Sequence, residues 1–295
     1  MSSSICLLNS KECPCPGTHY AACTEFIEGF QEFGFTTTVA TCVDECKGKS
    51  VILLSSHEIN ITYLNILNTA NPDAIYILWY YHSVYDSIPF KYFILTGEHF
   101  FQSPKCASHI PYHTLNISIS NFVPLLLRVN ESPELIGKYS KDRIYDGCFM
   151  GTPYKQHWVY NKQNIVYHNI STNGLLSYTQ RREIYLQSKI AFGFHHDGNI
   201  LNSHVTQRVF EGLAYGCVVI SDNKAASDMT DGIVEYAENK EQFDTIFQNM
   251  LNNSELMNKK RELGYEWVKK YGTNRYAASL FLIKIKELWN ISFAP

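Results

Sequence analysis

Arg208 and Glu211 stand three residues apart in the run HVTQRVFEGLAYGCVVISD, residues 204–222. The run reads as a capped helix, a glycine stop at Gly216 and a buried strand. Three-residue spacing puts both side chains on one face near the helix start. A helix N-terminus with a cation beside it suits a diphosphate. A carboxylate one turn on suits the hydroxyls of a ribose, which can donate to it. The plain alternative is an ordinary Arg–Glu surface pair.

A second set of chemical groups follows apolar runs in the first half. Gly17-Thr18-His19 follows the first run, His57-Glu58 follows Val51–Ser55, and His82 with Asp86 follows Ile75–Tyr81. Gly97-Glu98-His99 follows Phe93–Thr96. Strand ends that offer a His or a carboxylate can supply a general base. The plain alternative is caps and loop polars. His195-His196-Asp197 follows the run Ile190–Phe194 and reads as a ligand-site loop. As a metal cluster it is poor, because adjacent side chains on extended backbone point to opposite sides. No Asp-x-Asp triplet occurs to hold a divalent ion on a diphosphate.

These groups must be positioned by the elements around them. Short apolar runs at 4–8, 35–40, 51–55, 75–81, 93–96 and 115–119 alternate with helical patterns at 20–33 and 59–70. The pattern restarts near residue 144, with strands at 145–150, 164–168, 190–194 and 217–220, and another starting at 232. Helices lie between them, and residues 241–289 are almost wholly helical. Such alternation predicts α/β architecture: two Rossmann-type, doubly wound parallel sheets in series, with ligands at the carboxyl ends of the strands in a cleft between them. The expected division is 1–130, a linker around 124–143, 144–275, and a last helix, 276–295, returning to the first domain with Trp289 as its anchor.

Composition narrows the function. The chain has 295 residues, 45% of them apolar, and a formal charge of −3. Residues 1–150 carry nine basic and fourteen acidic side chains, a net of −5; residues 151–295 carry sixteen and fourteen, a net of +2. Without a basic face, nucleic acid is not expected as a partner. The first ten residues have no basic start and only a short apolar run, and no run approaches the ~20 residues of a membrane helix. The expectation is a soluble, cytoplasmic protein with no transmembrane segment. The nine cysteines are read as free thiols, since Cys13-Pro-Cys15 and Cys42-x3-Cys46 lack zinc-ligand spacing.

The run around Arg208 resembles the nucleotide-binding segment of GT-B glycosyltransferases, in the "R-x-F-E-x-L-x-x-G" form of spore-coat-type and exostosin-like enzymes. Residues 188–192 resemble the strand that precedes that segment. The likeness covers about residues 144–240. It implies that Glu211 holds the donor ribose, that Arg208 approaches the diphosphate, and that the Gly151-Thr152 turn nears the phosphates. Lys189, His195 and Thr206 are placed with them in the nucleotide-sugar site, and Lys155 and Lys189 are reserve cations. Phe93–His99 is similar to a stretch of the α-1,3-fucosyltransferases in which a strand runs into "T-G-E-N" and the Glu is the base. Thr206-Gln207-Arg208 stands where those enzymes carry Thr-Glu-Lys. His99 for Asn, Gln207 for Glu and the glycine-rich FEGLAYG depart from them. In size the chain resembles compact glycosyltransferases of large DNA viruses.

The resemblance implies a glycosyltransferase that moves a sugar from a nucleotide-diphosphate donor to a glycan, glycoconjugate or other hydroxyl acceptor. Transfer would be inverting, with Glu98 as base and Glu58, His19 and Asp73 as substitutes in that order. Protein cations would take the place of a metal, and no cofactor beyond the co-substrate is expected. Two alternatives share the architecture: a non-catalytic nucleotide-sugar-binding protein and a non-hydrolysing sugar-nucleotide epimerase.

Overall fold

The computed structural model describes residues 3–15, 17–55, 60–79, 88–96, 123, 129, 131–139, 141–152, 155–159, 161–201, 203 and 205–293. The chain divides into two compact units, one of residues 1–130 with 274–295 and one of residues 131–273.

In the first unit the elements run β1 (Ser4–Leu8), α1 (Gly17–Glu28), β2 (Thr36–Ala40), β3 (Val51–Ser55), α2 (Ile61–Ala70), β4 (Ile75–Trp79) and β5 (Tyr92–Thr96). The strands form one parallel sheet in the order β2-β1-β3-β4-β5. β1, β3 and β4 are buried along their whole length, as continuous apolar runs covered on both faces must be. Ile5, Leu7, Val51, Leu53, Ile75, Ile77 and Trp79 face one core with Phe26 and Phe30. The alternate residues Cys6, Leu8, Ile52, Leu54, Tyr76 and Leu78 face the other, with Leu64 and Leu67 of α2. Asn60 caps α2 by accepting from the Thr62 N–H at 2.8 Å.

The second unit continues with β6 (Tyr145–Gly151), β7 (Ile165–Asn169), α3 (Ile170–Asn173), α4 (Tyr178–Leu186), β8 (Ser188–Gly193), α5 (Asp197–Leu201), α6 (Gln207–Ala214), β9 (Val218–Ser221), α7 (Lys224–Met229), β10 (Glu235–Tyr236), α8 (Lys240–Asn252) and α9 (Ser254–Tyr271). Its strands are again parallel, in the order β10-β9-β8-β6-β7. Phe149, Phe192, Phe194 and Trp158 pack on Phe243 and Phe247 of α8 on one face. The last helix, α10 (Asn274–Trp289), belongs to the first unit. Its Ala277, Ala278, Phe281 and Ile285 join the core of α1, and the Phe26 and Phe281 rings meet edge-on at 5.2 Å. Trp289 meets Tyr92 edge-on at 5.3 Å.

The two strand orders are the same. Each chain segment starts one strand in from an edge of its sheet, moves to that edge, then crosses back and fills the other side. The reversal falls between β1 and β3 in the first sheet and between β6 and β8 in the second. At such a reversal the two flanking connections leave in opposite directions and open a crevice at the carboxyl ends of the strands. No helix among the described residues is long and apolar enough to cross a membrane.

Candidate active site

The crevice of the second unit lies where β6 ends at Gly151 and β8 ends at Gly193, and α6, packed on β8 and β9, carries Arg208 to it. The glycines of FEGLAYG explain how closely α6 approaches the sheet. A Cβ on Gly212 would stand 2.9 Å from Ala191 Cβ and 2.9 Å from Val219 Cγ2, so only glycine lets the helix sit on β8 and β9 this tightly. Gly216 ends the helix at φ +74. Its N–H donates to Leu213 O at 3.1 Å, and the Cys217 N–H donates to Gly212 O at 2.8 Å, a Schellman termination that turns the chain into β9.

The start of α6 is fixed by His195, which is 1% exposed. The Thr206 N–H donates to His195 Nε2 at 3.2 Å, so Nε2 is the unprotonated nitrogen. Nδ1 then carries the proton and donates to Asp222 Oδ1 at 2.9 Å. Asp222 also accepts from the His195 backbone N–H, at 3.0 and 3.2 Å. One buried imidazole thus ties the end of β8, the residue after β9 and the first turn of α6 together. The His195 side chain is enclosed rather than presented to the crevice. It sets the position of residues that reach the crevice. Thr206 is the half-buried N-cap residue. His196 is exposed, and its Nδ1 accepts from the Gly198 N–H at 3.0 Å.

Arg208 is the group this scaffold presents. Its Nη1 donates to Phe194 O at 2.9 Å, and its guanidinium lies 5.1 Å from the centre of the Phe149 ring. A Cβ on Gly151 would stand 2.7 Å from Nη1 and 2.8 Å from Cζ. The glycine therefore leaves room for the guanidinium directly on the end of β6. Thr152 follows at the same edge, half-buried. The Tyr185 hydroxyl donates to Arg208 O at 3.4 Å. Burial, and then the charge of Glu211, hold that phenol well above its usual range, so it stays a neutral donor. A cation pinned at the reversal point beside a helix N-terminus can stabilise negative charge developing on a leaving diphosphate.

Glu211, one turn on, is 3% exposed. It pairs with Arg181 of α4 rather than with Arg208: Oε1 accepts from Nε at 3.2 Å and from Nη2 at 3.0 Å. The surface-pair alternative is thereby excluded. Spacing could not have found Arg181, because it lies thirty residues away in sequence.

The remaining candidates scatter. Lys189 is not brought to the crevice. It is the second residue of β8, at the amino end of the strands, and its Nζ lies 2.7 Å from Asp146 Oδ1 near the start of β6. Lys155 lies on the crevice side, with Nζ 3.4 Å from Asp197 Oδ1. Asp73 sits exposed in the turn before β4, at the amino end of the strands rather than the carboxyl end where parallel sheets bind ligands. Glu98 and Glu58 lie outside the described residues, as does the side chain of His19 in α1. Among the described residues no three His, Cys, Asp or Glu side chains converge as a metal site requires.

A family model described as glycosyl transferase-like matches residues 134–282, half of the chain. No curated protein matches it in sequence. Among solved structures, the chain is similar to alpha-glucosyltransferase (AGT) in complex with UDP, at 10% identity and a TM-score of 0.69, over 97% of this chain and 100% of the other. The same enzyme in complex with UDP and a 13-mer DNA containing a HMU base aligns at 10% identity and a TM-score of 0.67, over 97% and 100%. A glycosyltransferase from Rickettsia africae aligns at 15% identity and a TM-score of 0.58, over 98% and 100%. At these identities the likeness establishes the fold, of GT-B class. It also overturns the exclusion of nucleic acid, because a protein of this fold is seen with DNA bound. A whole-chain charge of −3 averages over surfaces and does not describe a single groove.

Proposed function

The chain belongs to the glycosyl transferase-like family, and on that premise we propose that it transfers a sugar from a nucleoside-diphosphate donor, with UDP as the first nucleotide to test, to a hydroxyl acceptor. The observation that carries this reading is Arg208, held against Gly151 and Phe194 O at the strand reversal of the second unit. In the proposed reaction Arg208 and the first turn of α6 neutralise the diphosphate as the bond to the anomeric carbon breaks. Glu211 accepts from the ribose. A positioned carboxylate, Glu98 in the first instance, takes the proton of the attacking hydroxyl and inverts the anomeric centre, a contribution of about 10²–10⁴ in rate. The cations of the chain carry the charge of the leaving group without a metal ion.

The acceptor is a sugar hydroxyl of a glycan or glycoconjugate, or a hydroxyl on a modified DNA base. The second class is favoured by similarity to the enzyme solved with UDP and HMU-containing DNA. Incubation with UDP-glucose and each acceptor class, followed by mass spectrometry of the acceptor and proton NMR of the new anomeric centre, tests the proposal. Expected are a hexose adduct, the inverted configuration, and unchanged turnover in EDTA. A retained configuration would remove the Glu98 mechanism. Failure to cleave any sugar nucleotide would remove the reaction itself.

A further inference from the structure

Arg181 is the element of this site that no motif carries, and its surroundings are built. Ser177 and Gln180 close a capping box at the start of α4, with the Ser177 N–H donating to Gln180 Oε1 at 2.9 Å and the Gln180 N–H donating to Ser177 Oγ at 3.3 Å. That fixes the first turn of the helix, on which Arg181 is the fourth residue. Nη1 donates to Leu176 O at 3.3 Å, and the Tyr178 ring centre lies 5.6 Å from Cζ. The guanidinium is thus held from its far side before it meets Glu211.

Both of its bonds to Glu211 end on Oε1. Oε2 has no hydrogen-bond partner among the described residues. A fork of two N–H groups on one oxygen anchors the carboxylate from that side and leaves the second oxygen turned away from the arginine.

We propose that Arg181 is a positioning residue for the donor, holding Glu211 so that Oε2 accepts from a ribose hydroxyl. This rests on the reading of Glu211 as the ribose-binding group. Arg181 itself touches no ligand. Its contribution is selective: it strengthens the recognition of a nucleotide that has its ribose hydroxyls and does nothing for one that lacks them. The planar fork matters as well as the charge, since a lysine supplies a point charge without fixing the carboxylate plane.

The test is a ratio of affinities, measured by calorimetry with UDP and with 2′,3′-dideoxy-UDP on the full chain. A hydrogen bond to a charged acceptor makes the wild type prefer UDP by about 10- to 100-fold. Arg181→Gln should bring that ratio close to one by weakening UDP while leaving the dideoxy nucleotide nearly unchanged. Arg181→Lys, which keeps the charge and guards against a variant that fails to fold, should lose part of the ratio. A purely structural role would weaken both nucleotides equally and leave the ratio intact. Wild-type discrimination retained in Arg181→Lys, and in Arg181→Gln where it folds, would overturn the role of Arg181. UDP binding without any discrimination by the wild type would overturn the ribose reading of Glu211 first, and this role with it.

Discussion

Gly151→Ala should act on ligand binding through Arg208. The added Cβ would stand 2.7 Å from Nη1 and 2.8 Å from Cζ. Carbon contacts settle near ~3.5–4.0 Å, so the guanidinium must retreat by about 1 Å. The Arg208 bond to Phe194 O, now 2.9 Å, does not survive such a shift. A hydrogen bond to a charged group is worth about 1.5–3 kcal/mol, and the cation also leaves the place where a diphosphate would sit. UDP affinity, read by calorimetry, should therefore fall by about 10- to 150-fold. The effect must vanish in the Arg208→Ala background, where the methyl group has nothing to displace. The four proteins of this double-mutant cycle measure that coupling directly. If Gly151→Ala weakened UDP equally with and without the arginine, the contact between the two residues would not be the cause and the reasoning would fail.

Other outcomes follow from the same geometry. His195→Ala leaves the buried Asp222 without its ring donor and should cost about 1–3 kcal/mol in urea unfolding; His195→Asn, which restores a donor toward Asp222, should recover part, and equal loss in both would contradict the tie. Gly216→Ala places a methyl at φ +74 with the Tyr265 hydroxyl 2.0 Å away, so it should lower stability by about 1–3 kcal/mol, and an unchanged melting temperature would refute this. Burial, then the charges of Cys15 and Cys46, push the Cys13 thiol up from 9.0 to about 12. Its raised value stabilises the folded state fully below pH 9 and is lost as pH rises toward 12, so Cys13→Ala should flatten the decline of urea stability between pH 9 and 12 while leaving the slope near pH 7 unchanged.

Much of the fold could be read because its strands are buried on both faces and therefore stand out as continuous apolar runs. The positions of Arg208 and Glu211 followed from helical spacing and a glycine stop. What spacing does not carry is direction and partnership. Lys189 adjoins an apolar run that ends at the crevice, but it stands at the beginning of that strand, so four residues of extended chain separate it from the site. Asp73 precedes its strand in the same way. His195 reads as part of a ligand-site loop, because the carboxylate that encloses its ring comes twenty-seven residues later. Arg181 drew no notice, since an arginine inside a polar helix is ordinary until its partner is known to be buried. The candidate bases Glu98 and Glu58 lie outside the described residues.

The most direct test of a donor site at the reversal of the second sheet is titration of the wild type and Arg208→Ala with UDP, GDP, CMP and dTDP. The expected result is selective binding of one nucleoside diphosphate, UDP first among them, lost by tenfold or more (about 1.4 kcal/mol) in the variant while its melting temperature is kept. Binding of no nucleotide by the wild type, or equal binding by the two proteins, would contradict the account.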